Sequence, residues 1–439
     1  MIPRPLLSSV LALSSSIAGC FEPATGDSVR HPGRDSGGDT DADTDGDADS
    51  DADTDTDLFL PTSIDAIQRG DLAEGTDVAV PGVVVGALLP GGFHLGTEGT
   101  AEACSGIWVA WEDHADDALS EGLLVSVRGE IREVVGSAGS AGDGSLTTIA
   151  VTSLGRVEVT GQGAPPEPAV VTVATLSDPK AVELWEGVLV AIDGVEVSAG
   201  GSGRWQIEGG LAVGDLYVAT TALTGATLTR LVGVVWFDGR SFLLEPRSEG
   251  DLLGYDPGLT DCGEARCMPE VLPGELVIDE VMRDPEAVFD EYGEWFEIHN
   301  GTETAIDLRG LEVRDDGWEA FTVVDSVLVS PGAWAVLGPD ADAATNGGVE
   351  IAFSYDFGSF SLGNGADALV LAHGGTDLDA VIWDEGVTFP ALAGAAMALD
   401  PAHLDAGLND DGSSWCSAVT SYGAGDLGTP GGVNDPCGE

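Results

Sequence analysis

Positive charge is scarce in this chain of 439 residues. It has 16 lysines and arginines against 76 aspartates and glutamates, so the formal net charge is −60, and Lys180 is the only lysine. Proteins bind nucleic acids and anionic membrane surfaces through lysine and arginine side chains. We therefore expect no nucleic-acid partner and no electrostatic attraction to acidic lipids.

Aromatic residues and helical periodicity are also scarce. Aromatics make up 6% of the chain, whereas 63 glycines and 22 prolines interrupt valine-rich stretches of alternating polarity. This pattern is typical of short strands joined by turns. Apolar residues reach 43%, which is enough for cores. We predict an all-β fold of about three domains, at about 150 residues per domain.

Motifs for catalysis are missing from the sequence. The six histidines are scattered and form no zinc-binding pair, and neither a nucleophile elbow nor a Walker loop occurs. Acidic pairs are abundant, but on so acidic a chain they carry little information about acid–base chemistry. We predict that the protein is not an enzyme, with no catalytic residues and, calcium apart, no cofactor.

Residues 1–19 resemble a bacterial export signal. Arg4 precedes an apolar stretch from Leu6 to Ile17 that is too short to span a bilayer, and no run of 18 apolar residues occurs later. Ile17-Ala18-Gly19-Cys20 then resembles a lipobox. The resemblance implies a lipoprotein whose acyl chains sit on Cys20 and hold it at a membrane. An ordinary signal peptide is the alternative.

The residue after the cysteine bears on the membrane involved. Phe21 stands where an aspartate would favour retention at the inner membrane. The sorting rule of such lipoproteins therefore implies attachment to the outer membrane. We expect the chain to face the periplasm or the cell surface, with its membrane contact made through the lipid.

Residues 20–57 resemble a tether more than a domain. From Asp35 to Asp57 there are eleven aspartates and no cation, and like charges at alternate positions extend a chain that has nothing apolar to bury. The spacing from Asp41 to Gly46 resembles an EF-hand loop, but Ala52 replaces the bidentate glutamate. We expect a disordered tether that binds cations weakly.

Two modules, 58–163 and 169–255, each contain five strand-like runs. Glu121–Gly129 and Glu186–Gly194 echo one another, which suggests a duplication. The predicted strands are Val78–Leu88, Gly92–Thr97, Ile107–Trp111, Leu123–Val134 and Leu146–Val151 in the first module, then Val188–Val197, Arg204–Ile207, Leu216–Thr220, Leu228–Phe237 and Ser241–Glu245 in the second. Five strands suffice for one small Greek-key barrel.

The strand and turn patterns of these modules resemble the tandem OB-fold-like modules of secreted bacterial proteins. The resemblance rests on the Glu-Gly-x-Leu-Val starts and on Leu231–Arg240 leading into Phe242–Pro246. OB surfaces usually bind single-stranded nucleic acid through aromatic side chains and a cationic groove. The cations are missing here, so we expect the tryptophans to fill the barrels.

After a linker, 256–273, residues 274–435 contain six segments in a fixed order: Glu275–Met282, Gly293–Asn300, Ala305–Val313, Val329–Leu337, Ser361–Leu371 and Gly428–Asn434. Together they closely resemble the lamin tail domain, an immunoglobulin-like β-sandwich. The resemblance implies a role in interaction or attachment, with no catalytic residues. Around Trp295 the strand alternates with acidic residues, so we expect one face on the core and one in solvent.

Calcium is the one cofactor that the sequence favours. Asp284, Asp290, Glu291 and Glu294 crowd one predicted loop, and carboxylate oxygens are the ligands that calcium prefers. The alternative is a solvated acidic loop.

Five cysteines besides Cys20 bear on the disulfides of an exported protein. We pair Cys262 with Cys267 and Cys416 with Cys437, which leaves Cys104 as an unpaired thiol. Other pairings of these five cysteines are open.

These features favour a non-enzymatic, lipid-anchored envelope protein that presents β modules to a protein, a glycan or calcium. The alternative is an accessory subunit of an extracellular nuclease or another secreted hydrolase, because such modules accompany those enzymes. No unassigned stretch is long enough for a nuclease domain in this chain.

Overall fold

The computed structural model of the protein describes residues 59–112, 119–135, 145–384 and 386–438. The export signal, Cys20 and the acidic tether lie outside the described residues. The described part consists of β-strands with three short α-helices, so the all-β prediction is confirmed. None of its helices has the length and apolarity needed to cross a membrane.

The described residues form two compact units. The first contains the residues up to Val190 together with Val234–Phe242, and the second contains Ala191–Gly233 and the residues from Leu243 onward. The division into modules 58–163, 169–255 and 274–435 stays a prediction.

The first part of the chain forms a sheet that closes into a barrel. Its elements are β1 (Leu60–Pro61), α1 (Ile64–Gln68), β2 (Asp77–Val84), β3 (Gly92–Gly96), β4 (Gly106–Ala110), β5 (Leu123–Val135), β6 (Ser145–Ala150) and β7 (Arg156–Gln162). The sheet order is β1-β2-β3-β4-β6-β5-β7, and β5 also pairs with β2. Five strands therefore close a ring, in which only β4 and β6 run parallel.

The barrel has an apolar interior that begins with α1. Ser63 caps this helix by accepting the N–H of Ala66, and Ile64 and Ile67 are buried among Val80, Phe93, Ile107 and other core side chains. Along β2, Val78, Val80 and Val84 lie an even number of residues apart and share this core, as period-two patterning requires.

The next elements repeat the barrel order. They are β8 (Ala169–Val170), α2 (Val173–Ser177), a 3₁₀ turn (Val182–Trp185), β9 (Leu189–Ala199), β10 (Gly201–Gly203), β11 (Trp205–Ile207), β12 (Ala212–Val213), β13 (Thr220–Ala222), β14 (Thr227–Phe237), β15 (Phe242–Glu245), a 3₁₀ turn (Glu249–Asp251) and β16 (Leu252–Leu253). Strands β9, β11, β12, β15 and β14 follow in sequence, and β14 pairs with β9. The parallel pair, β12 with β15, again joins the third and fifth strands of the ring.

The echo between Glu121–Gly129 and Glu186–Gly194 falls on β5 and β9, which are the fourth strand of one ring and the first strand of the other. It therefore does not mark the repeat.

The strand predicted at Leu216–Thr220 is wrong over residues 216–219. The Leu216 N–H donates to Glu245 Oε2 at 2.9 Å instead of to a neighbouring strand. The absence of a side chain at Gly214 makes room for that carboxylate, since a Cβ there would lie 2.2 Å from Glu245 Oε1.

The remaining strands form a β-sandwich. They are β17 (Leu276–Met282), β18 (Trp295–Asn300), β19 (Ile306–Asp307), β20 (Glu312–Arg314), β21 (Ala320–Thr322), β22 (Leu328–Val329), β23 (Trp334–Gly338), β24 (Phe353–Ser354), β25 (Asp367–His373), β26 (Thr376–Trp383), β27 (Met397–Leu399) and β28 (Trp415–Ser417), with α3 (Asp290–Gly293) and 3₁₀ turns at Met268–Glu270, Pro401–His403 and Gly412–Ser414. A six-stranded sheet, β24-β23-β18-β17-β27-β28, and a four-stranded sheet, β21-β20-β25-β26, share one large apolar core.

The outer face of the six-stranded sheet is covered as well. A second apolar cluster contains Met282, Trp295 and Ala418, and all seven residues of β17 are buried. The expectation that the strand around Trp295 has one face in solvent is therefore wrong. Residues from the C-terminal part of the chain cover that face, and they bury its acidic side chains.

We expect Gly129→Ala to destabilise the first barrel. Gly129 lies where β5 passes from pairing with β2 to pairing with β6. A Cβ there would lie 2.5 Å from the Ala150 carbonyl oxygen and 2.7 Å from Ile149 Cγ2, so overpacking should cost about 1–3 kcal/mol of unfolding free energy. Denaturant unfolding measures the loss.

Gly161→Ala on β7 is the matched control. Its Cβ would meet Leu124 Cδ1 at an ordinary 3.5 Å. Equal losses for the two variants would contradict the packing described for β5.

Candidate functional site

The predicted calcium ligands do not converge on one point. Asp284 and Asp290 lie on either side of Asn364, whose Nδ2 donates to Asp284 Oδ1 at 3.4 Å and to Asp290 Oδ2 at 3.2 Å. Glu291 is exposed on α3. Glu294 is buried, and it accepts the Leu362 N–H at 2.8 Å. Calcium binding by these four residues stays a prediction.

Glu294 differs from the other three in its protonation. Burial raises the pKa of its carboxyl to about 9, and the nearby charges of Asp290 and Asp367 act in the same direction. A carboxyl with this pKa is neutral at pH 7 when no cation is bound. Together with its burial and its bond from the Leu362 N–H, this favours a structural role for Glu294.

Another acidic group does converge in the described part of the chain. The carboxylates of Asp315, Asp316 and Asp367 have ligand oxygens within 4.8 Å of one another. Asp315 already accepts the Gly317 N–H, and Asp367 accepts the Gly363 N–H. These bonds already stabilise the carboxylates, so the group gives no further indication of a cation.

Two buried carboxyl groups, with a third beside them at Asp279, hold the C-terminal segment 428–434, which we call the strap. Glu280 accepts the N–H of Thr429 at 2.9 Å and its hydroxyl at 3.1 Å, and Glu297 accepts the Gly431 N–H. Asp279 accepts Trp334 Nε1 at 2.7 Å. The strap is thus attached to β17 and β18 by carboxyl groups and backbone N–H donors.

The same burial changes the acidity of these groups. Desolvation raises the pKa of Glu280 to about 7 and that of Glu297 to about 10, and it raises the pKa of Asp279 well above its ordinary value. Nearby carboxyl groups reinforce the shifts of Asp279 and Glu297. Nothing in the sequence signals that these residues are buried, because acidic side chains are rarely buried in folded proteins.

Both predicted disulfides are present. Cys262 pairs with Cys267, and Cys416 pairs with Cys437, with Cα separations of 5.5 Å and 5.7 Å. The second bridge joins the edge strand β28 to the end of the chain just beyond the strap. The Cys437 N–H also donates to Asp400 Oδ2 at 3.1 Å.

The expectation of an unpaired thiol at Cys104 is wrong. Cys104 is disulfide-bonded, and no described cysteine is free. It lies buried in a turn, where its backbone has a positive φ of 64° and its N–H donates to the Leu184 carbonyl. The neighbouring sequence does not reveal this burial.

A pocket of about 280 Å³ lies in the second unit. One wall comes from residues 200–202 at the start of β10, and the other comes from β21, β24 and the residues that follow them. We call it the Phe353 pocket. Its contacts with solvent are mainly through Ser202, Asp325, Phe353, Ser354 and Asp356.

Three aromatic rings form the sandwich side of the Phe353 pocket. The ring of Phe321 stacks on Tyr355, with centroids 4.3 Å apart, and is near-parallel to Phe353 at 6.1 Å. Phe321 and Tyr355 are buried, whereas Phe353 is half-buried. The rings therefore lie in a stack and do not form a cage.

Hydrogen bonds fix the two walls to each other. The Thr224 N–H donates to the Val324 carbonyl at 2.9 Å, and its hydroxyl donates to Asp325 Oδ1 at 2.6 Å. Arg309 Nη1 donates to the Thr224 carbonyl at 2.7 Å. The pocket is therefore preformed, and our sequence interpretation missed it because its walls are over a hundred residues apart.

We expect the unfolding free energy to fall as the pH rises from about 4.5 towards 9. Glu294 and Glu297 bind protons in the folded state over a range in which the unfolded chain has lost them. Each such group lowers stability by up to about 1.4 kcal/mol per pH unit above its ordinary pKa, until its raised pKa is reached. Urea unfolding at several pH values measures the slope.

The substitutions Glu294→Gln and Glu297→Gln should each flatten this slope, since an amide does not titrate. Glu291→Gln, at an exposed position in the same segment, should leave it unchanged. A slope that survives the double substitution would contradict the assignment to these two groups.

Removing the Cys416–Cys437 bridge should cost about 3 kcal/mol, against about 2 kcal/mol for Cys262–Cys267. The longer separation, 21 residues against 5, constrains the unfolded chain more. Paired cysteine-to-alanine variants, unfolded in guanidinium chloride, test the order. An equal or reversed order would show that loop entropy does not govern these bridges.

Part of the sandwich matches a known protein family. No curated protein matches the chain. The strap, β27 and β28 lie beyond the segment that matches a family, which contains the strands from β17 to β26. Residues 272–385 match the Lamin Tail Domain family, and the lamin-tail resemblance is thereby confirmed for this part of the chain.

Proposed function

We propose that the protein is a non-enzymatic lipoprotein of the outer membrane that displays its β modules for interaction with an envelope partner. The lipid attached to Cys20 is its membrane contact, and the aspartate-rich tether holds the modules away from the bilayer. Its partner is a protein, a glycan or a calcium-bridged surface, and it binds no nucleic acid.

One sequence feature carries this proposal. The apolar stretch that ends in Ile17-Ala18-Gly19-Cys20 stands ahead of an acidic tether and a β-rich chain. A lamin tail segment within that chain supports a β-module protein. Several acyl chains on one cysteine give durable anchoring, whereas a single chain binds reversibly.

The barrels favour a second candidate, an accessory subunit of an extracellular nuclease or another hydrolase. Both rings close in the order first, second, third, fifth, fourth strand, which supports an OB-like assignment. Direct binding to DNA is disfavoured by the net charge of −60 and by the burial of Trp108 and Trp205. Such a subunit would therefore reach its substrate through the enzyme.

Membrane fractionation with Cys20→Ala tests the anchor. In a bacterial host with two membranes, the wild-type protein should sediment with the outer membrane, and Cys20→Ala should be soluble because it lacks the acylated sulfur. Phe21→Asp is the control. It keeps the cysteine and, by the sorting rule, should move the protein to the inner membrane.

Peptide mapping without reduction completes this test. The N-terminal peptide should carry the mass of the acyl groups on Cys20. An N-terminal peptide that carries no acyl mass would contradict the proposal. Full membrane recovery of Cys20→Ala would contradict it as well.

A further inference from the structure

We propose that the Phe353 pocket binds a neutral glycan, as one or two sugar rings or the end of a longer chain. This inference rests on the proposed function, since it names the chemical class of an envelope partner. The volume of about 280 Å³ is close to the lower limit of small-molecule pockets, about 300 Å³. A small ligand or a chain end therefore fits it.

Charge excludes anionic ligands from this pocket. Asp325 and Asp356 lie on its rim, and no lysine or arginine is among the described residues that line it. The chain as a whole carries −60. Phosphates, nucleotides and acidic sugars would be repelled as they approach the pocket, whereas a neutral ligand would not.

The arrangement of the rings separates a glycan from an organic cation. Aromatic recognition of a quaternary ammonium group places ring faces around the charge. Here the Phe321 ring lies within 17° of parallel to both Phe353 and Tyr355, so the rings are stacked and do not surround a point. The aromatic carbon of the half-buried Phe353 ring suits the C–H face of a sugar ring.

Polar groups on the rim match the hydroxyls of a sugar. Ser202, Ser354 and Asp356 are exposed around the half-buried Phe353 ring. Asp325 uses Oδ1 to accept the Thr224 hydroxyl, and its Oδ2 is directed to no described donor. Carboxylate oxygens accept short, strong hydrogen bonds from hydroxyl groups, which fixes the orientation of a bound sugar.

The two walls of the pocket are already in place before a ligand binds. Gly200 packs so closely that a Cβ there would lie 2.9 Å from Val324 Cβ, and its N–H donates to Thr224 Oγ1 at 2.7 Å. Little conformational entropy is then lost when a ligand enters.

The test is titration calorimetry on the full chain carrying Cys20→Ala, which separates binding from anchoring. The probes are neutral trisaccharides of glucose, galactose, mannose and N-acetylglucosamine, with galacturonic acid trisaccharide and choline as charged comparisons. At least one neutral trisaccharide should bind saturably. The acidic trisaccharide and choline should not compete with it.

Two variants then locate the binding. Phe353→Ala should weaken it about tenfold, as truncation of a central aromatic contact does. Because Phe353 packs against the core, Ser202→Trp provides a second variant that fills the pocket from an exposed position. Phe289→Ala, at a side chain that is 78% exposed and outside the pocket lining, is the matched control.

Three results would overturn the inference: no neutral trisaccharide binds, choline displaces the bound sugar, or Ser202→Trp binds as the parent does. Failure of this inference leaves the proposed function intact, because fractionation of Cys20→Ala reports on the anchor alone. Conversely, a wild-type chain that binds sugar but does not sediment with the membrane would support this inference and contradict the proposed anchor.

Discussion

The scarcity of cations is the constraint on which the second unit of this structure depends. With 76 acidic residues and 16 lysines and arginines, most carboxylates have no opposite charge available. Several buried carboxyl groups accept hydrogen bonds from backbone N–H groups instead. Leu362 donates to Glu294, Thr429 to Glu280, and Ile278 to Asp379 at 2.6 Å.

These bonds connect segments that are distant in the chain. Glu280 and Thr429 are 149 residues apart, and Ile278 and Asp379 are 101 residues apart. A buried carboxyl group with directed donors costs less than an unpaired one, and its protonation removes the remaining charge. Buried carboxyl groups therefore hold the strap, the sandwich and the acidic loops together. The protonation of these carboxyl groups affects the stability of the fold.

The sequence predicted the sandwich well because its segments carry local signals. Strands β17, β18, β23 and β25 coincide with four of the segments that resemble the lamin tail domain, and the Cys416–Cys437 pairing followed from position alone. The burial of Glu297 could not be predicted in this way. A strand that alternates apolar and acidic residues looks half-exposed until another segment covers it.

The amino-acid sequence by itself determined the β class, the turns and the acidic surface, since composition and period-two patterning act locally. Only the tertiary structure decided which carboxyl groups are buried, in what order the barrel strands close, and that Ser202 faces Phe353 across one pocket. These outcomes depend on contacts between residues far apart in the chain. Such contacts form only when the whole unit excludes water.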